Sequence, residues 1–188
     1  MLSTRRLGSI AQHKQRGASL IEVLISILLA AIGLLALAGS NVASIRYSKM
    51  SQYRGTATVL AADLAERMRA NQAGLADYAV ADIFSAQGTE PLATTACESY
   101  SNTCSSADLA AYDLAVWRRL VRRQLPEGSV FVTPSTAVLA ADVWVAWRDP
   151  AVADADENNT ESRNTATECP SGFDSDKSIR CSYFRINI

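Results

Sequence analysis

Polar residues almost vanish from one stretch of this 188-residue chain. Between Ala18 and Ala38 the strongly polar side chains are Ser19, Glu22 and Ser26 alone. Wound as a helix at about 1.5 Å per residue, those positions span roughly 32 Å, enough to cross one hydrocarbon core. Beyond Gly39 the apolar positions become periodic. Val42, Ile45, Met50, Tyr53, Ala57, Leu60, Leu64 and Met68 step mostly by three or four. Arg46, Lys49, Arg54, Asp63, Glu66 and Arg67 mostly fill the other faces. No proline falls between 18 and 72, and Asn71 and Gly74 are stop signals. The pattern predicts one continuous helix of about 54 residues, apolar all round in its first half and amphipathic in its second.

A second helix is predicted for "DLAAYDLAVWRRLVRRQLPEG", with Asp108 as N-cap and Pro126 and Gly128 closing it. Leu109, Asp113, Leu114, Val116, Trp117, Leu120 and Val121 share one arc, in which Asp113 is expected at an edge. Arg118, Arg119, Arg122 and Arg123 cover the opposite side. Cations in the last turns suit the helix dipole, so a solvated face is the plain reading and contact with an acidic neighbour the functional one. Strand signals follow. "SVFVTP" alternates and is expected to stop at Pro134. "DVWVAWRDP" sets Val143, Val145 and Trp147 against Trp144 and Ala146, and "RCSYFRINI" sets Tyr183, Arg185 and Asn187 against Phe184, Ile186 and Ile188. Three or four antiparallel strands packed on the long helix make an α+β fold.

The rest of the chain reads as loops. Residues 73–107 form an Ala-, Ser- and Thr-rich connection, and 151–168 a polar stretch. In the latter, Asp154, Asp156 and Asn158 have calcium-loop spacing, but Asn159 and Thr165 stand where Gly and Glu are required, so no metal is expected. Asn158-Asn159-Thr160 matches a glycosylation sequon that arises often by chance. Four cysteines, Cys97, Cys104, Cys169 and Cys181, lack C-x-x-C spacing and suit disulfides. They allow three connectivities, and Cys97–Cys104 with Cys169–Cys181 is favoured because each pair closes a short polar loop.

Charge gives the helix a direction. Residues 1–17 hold Arg5, Arg6, Lys14 and Arg16 with no acid. Setting those four cations aside leaves 14 bases against 19 acids, a net −5. A basic flank stays cytoplasmic, so the mildly acidic body is expected on the far side. Such a body argues against a general nucleic-acid-binding surface. The lone histidine, His13, lies in the basic leader, and no nucleophile elbow or phosphate-cradling loop occurs. An enzyme is not expected, nor any cofactor. A secretory signal cut after Ala38 would also fit the first forty residues, since Ala36 and Ala38 have A-x-A spacing. Neither it nor a plain anchor explains Glu22, because a carboxylate inside a spanning segment costs up to about 3 kcal/mol.

The segment "RGASLIEVLI" resembles the class III leader of type IV prepilins and their pseudopilin relatives, in which a basic leader ends in Gly and Glu stands fifth in the apolar helix. The resemblance implies cleavage between Gly17 and Ala18 by a prepilin peptidase, and N-methylation of Ala18. The new amine would be positive near neutral pH, and Glu22 would need such a cation when apolar helices bundle. Glu22 would then set axial register during assembly, as a buried polar group does in a coiled coil. Two positions depart from common pilins: Ala18, where major pilins have Phe, and Gly39, where many have Pro.

The order helix, LPEG, strand, "WVAWRDP" further resembles minor pilins of the PilV kind. The expected organisation is a leader over 1–17, a membrane and filament-core segment over 18–40, an amphipathic helix over 41–72 and a periplasmic pilin domain over 73–188. The expected function is that of a minor pilin, anchored once in the inner membrane and then incorporated into an extracellular type IV pilus. Its partners would be the major pilin, other minor pilins of a priming or tip complex, and the inner-membrane assembly platform. Pilus biogenesis, twitching motility and adhesion would depend on it. The alternatives are a type II secretion pseudopilin, a DNA-uptake pilin using the four arginines, and a secreted binding protein starting at Gly39.

Overall fold

The structure, a computed structural model, describes residues 19–89, 91, 97, 103–149, 169–173, 176 and 178–188. The leader, Gly17, Ala18 and the Asp154/Asp156/Asn158 spacing lie outside the described residues. Two compact units divide the chain, residues 1–45 and 46–188.

The first unit contains the start of helix α1, which runs unbroken over Leu20–Ala70. From Leu20 to Ile45 every described side chain is exposed, on all faces of the helix. Val42 and Ile45, expected at the head of a buried stripe, are among them (52% and 61% exposed). Burial starts instead with half-buried Met50 and Tyr53 and is complete at Ala57, Leu60, Ala61, Leu64, Ala65 and Met68.

The second unit packs that stripe and helix α2 (Ser106–Gln124) on one face of a three-stranded antiparallel sheet. Its strands are β1 (Ser129–Ser135), β2 (Ala140–Arg148) and β3 (Ile179–Asn187), in that order. Val143, Val145 and Trp147 meet Leu60, Leu64, Met68, Trp117 and Val121 in this core. The other face carries a smaller cluster in which Phe131, Trp144, Ala146 and Cys181 join Phe84 and Phe173. The sheet therefore buries apolar residues on both faces, the second under the loop residues Phe84 and Phe173.

Three local expectations are corrected. The N-cap of α2 is Ser105, not Asp108. The Ser105 hydroxyl accepts from the Asp108 N–H at 3.1 Å, and the Asp108 carboxylate accepts from the Ser105 N–H at 3.1 Å, a reciprocal capping box. Strand β1 continues through Pro134 to Ser135. Val132 exchanges backbone bonds with Val80, so even-numbered residues of β1 point away from β2. The N–H that proline lacks would have faced outward, and no bond to β2 is lost. Asp113 is buried, not at an edge.

The 73–107 connection begins with a 3-10 turn, Gln72–Tyr78. Gly74 sits where it touches the start of α2: a Cβ there would lie 2.5 Å from Ser106 O. The absence of a side chain permits that approach.

Candidate functional site

The exposed apolar part of α1 is long and apolar enough to cross a membrane. Its backbone N–H and C=O groups bond within the helix, as a hydrocarbon environment requires. Ser26 removes its own polarity by donating its hydroxyl to Glu22 O at 2.7 Å. At the start, Ser19 O accepts from the N–H groups of Glu22 and Val23 at 2.9 and 3.2 Å. The Glu22 carboxylate is thus placed in the first turn of α1, where the helix dipole favours negative charge. It has no ion-pair partner among the described residues. Between Leu20 and Ile45 it is the only ionisable side chain.

The amphipathic half of α1 is tied to the domain by polar contacts as well as by packing. Asp113 of α2 accepts from Tyr78 Oη at 2.6 Å and from Arg67 Nη1 at 3.0 Å. Arg67 also donates from Nε to Asp63 at 3.1 Å. Burial, together with the bond to Asp113, pushes the Tyr78 phenol well above its ordinary range. Trp117 donates its indole N–H to Leu60 O at 2.8 Å, and Asn71 Nδ2 donates to Ser106 O at 2.8 Å. Arg69 donates to Asn187 O at 2.8 Å, linking α1 to the end of β3. An acid within the apolar arc of α2 was a readable sign of a buried partner. Tyr78, in an aperiodic stretch, gives none, and Asn71 reads only as the stop signal of α1.

The arginine face of α2 is largely engaged within the domain. Arg118 pairs with Asp82 at 3.2 Å, Arg122 donates to Gly88 O at 2.7 Å and Arg119 to Pro91 O at 3.4 Å. Arg123 is the exposed member. Three of the four cations hold the 82–91 segment against α2, which differs from a face wholly turned to solvent or to a partner. Cys97 is bonded to Cys104 and Cys169 to Cys181, with Cα separations of 6.0 and 5.3 Å. The second bond fastens the 169–173 segment to β3 beside the Phe84–Phe173 cluster.

A long N-terminal helix, apolar all round and then packed on a small antiparallel sheet, defines a pilin fold. Two family comparisons agree with that class. A model described as the prokaryotic N-terminal methylation motif matches residues 12–38, and one described as type IV pilin Tt1218 matches residues 41–115. The two matches support a type IV pilin with a class III leader. The three strands lie outside both matched segments. No curated protein and no solved structure matches the chain.

Proposed function

We propose that this type IV pilin is a minor pilin of the PilV kind. Prepilin peptidase cuts it between Gly17 and Ala18, and Ala18 is then N-methylated. The trimmed chain waits in the inner membrane with its N-terminus cytoplasmic and residues 73–188 periplasmic. The assembly platform passes it into a pilus beside the major pilin and other minor pilins, in a priming or tip complex that supports twitching motility and adhesion. The observation that carries this reading is Glu22, the sole charge in an apolar helix exposed on every face. Bundling such helices buries the carboxylate, which is tolerable only with a cation in reach. The Ala18 amine, freed by cleavage, supplies one, and the pair fixes how far one helix slides along the next. The four cysteines and the "WVAWRDP" strand favour a pilus over a secretion pseudopilus.

The test is the mature N-terminal mass and pilus content of wild type and Glu22→Ala. We expect both chains to start at Ala18. The variant should enter sheared pili at least about tenfold less, since breaking a buried pair costs several kcal/mol. A mature chain starting at Gly39 overturns the pilin assignment, and wild-type incorporation of the variant overturns the register role. Loss of enzyme secretion with normal pili, on deletion, points to the pseudopilin instead.

A further inference from the structure

The two edges of the sheet are treated differently. Along β1 the outward backbone groups of Val130 and Val132 are occupied. Val132 exchanges both bonds with Val80, at 2.9 and 3.0 Å. The Gln87 amide does the same for Val130: Val130 N donates to Oε1 at 3.0 Å and Nε2 donates to Val130 O at 2.7 Å. Backbone groups alternate in direction along a strand. The odd residues of β1 therefore face β2, and engage its even residues. The odd residues of β2 are left for Arg180, Ser182, Phe184 and Ile186 of β3. It follows that odd residues of β3 turn their N–H and C=O away from the sheet. Contacts at the strand's end agree, since Asn187 O accepts from Arg69 while Ile188 N donates to Leu139 O. Between Cys181 and Asn187, the outward groups of Tyr183 and Arg185 have no partner among the described residues.

This open edge is flanked by recognition elements on both faces. On the helix side, Arg54 and Thr58 of α1 with Cys181, Ser182, Tyr183 and Phe184 line an open groove of about 300 Å³. Arg54 is exposed and makes no ion pair among the described residues. On the opposite face a cross-strand aromatic ladder runs from Phe131 to Trp144 (5.7 Å between centroids) and on to Tyr183 (4.9 Å). It ends at Tyr183, 49% exposed, with room for one more rung.

We propose that the β3 edge at Tyr183 and Arg185 docks an extended segment of another protein, added as a fourth strand. That segment carries an apolar or aromatic residue opposite Tyr183. An adjacent residue carries a carboxylate, which the pleat turns to the groove side and Arg54. A second copy of β3 fits poorly, because "IRCSYFRIN" brings two arginines and no acid.

The test uses the full chain in detergent micelles and fluorescent eight-residue peptides alternating Tyr or Val with Glu, or with Lys, read by anisotropy. Arg185→Ala and Arg185→Pro both lose the ion pair to Asp142, but only proline removes the outward N–H, and neither touches a bond to β2. We expect the Glu peptide to bind, Arg185→Ala to change affinity less than about threefold, and Arg185→Pro to weaken it about tenfold. Arg54→Glu should transfer the preference to the Lys peptide. No binding, equal effects of Ala and Pro, or no preference between peptides overturns the proposal. Self-association of the chain that Arg185→Pro abolishes, without peptide binding, also overturns it in favour of a second copy.

Discussion

Removing the Asp113 carboxylate should loosen the joint between α1, α2 and the 72–78 turn by an amount the geometry bounds. Asp113 is 8% exposed and Tyr78 is fully buried. Their 2.6 Å bond is charge-assisted, and such bonds contribute about 1.5–3 kcal/mol. The Arg67 contact adds less, about 0–1 kcal/mol. Its side chain is 25% exposed and keeps Asp63, so it is neither stranded nor dry. Asp113→Ala should therefore cost about 1.5–4 kcal/mol. Tyr78→Phe removes the same bond from the other side, and the double variant should cost little more than Asp113→Ala. Urea unfolding of the full chain in detergent, followed by tryptophan fluorescence, to which the buried Trp117 and Trp147 both contribute, gives the coupling energy, expected at about 1.5–3 kcal/mol. Coupling under about 0.5 kcal/mol refutes the reasoning. An alkaline titration checks it independently. Burial first, and then Asp113, hold the folded-state Tyr78 value above its ordinary 10.0. A raised value favours the neutral phenol in the native state. That stabilisation is complete below pH 10 and is lost as pH climbs toward the higher folded-state value. Wild type should weaken above pH 10, and Tyr78→Phe should lack that component of the loss.

Two further outcomes test other joints of the domain. Gly74→Ala puts a methyl 2.5 Å from Ser106 O and 2.6 Å from Asn71 Nδ2. It should destabilise by about 1–3 kcal/mol, measured as a lower melting temperature, and an unchanged value argues that the turn and α2 do not touch. Asp176 is pulled down to about 2 by the Ser178 hydroxyl and backbone, with help from Arg148. Its contribution is present above its unfolded value of 3.8 and lost as pH falls through about 2. With the side chain 41% exposed, solvent screening limits it to about 1 kcal/mol. Wild type minus Asp176→Asn, compared between pH 6 and pH 2, should shrink by that amount.

Legibility in the sequence followed the reach of each interaction. Helix α1 and its change from all-round apolar to one-sided were readable because each depends on side chains three or four positions apart. The two faces of β2 were readable because alternation is local too. By residue type Ser105 and Asp108 suit the N-cap equally, and only the reciprocal bonds decide for Ser105. Asp113 departs from its expected edge position for a different reason. Helical spacing showed that it lies in the apolar arc, but its burial depends on Tyr78, 35 positions away, in a stretch without periodicity. The second cluster escaped likewise, since Phe84 and Phe173 come from separate loops and meet only after folding.

The edges of the sheet show the same divide most sharply. Alternation predicts the side-chain faces of a strand but is silent on what its outer backbone meets. Gln87 and Val80 satisfy β1 from a segment whose composition reads as connection. Pro134 lies within β1 without cost for a related reason: the N–H it lacks would point outward, past the Val80 contact, and not to β2. Once the parity of β1 is fixed by Val132, the direction of every backbone group in β2 and β3 follows, including the outward ones of Tyr183 and Arg185. A single contact far from β3 thus determines which of its residues can receive a strand. It also makes Arg185→Pro the informative substitution there, whereas Phe184→Pro would instead remove the N–H that Phe184 donates to Val143.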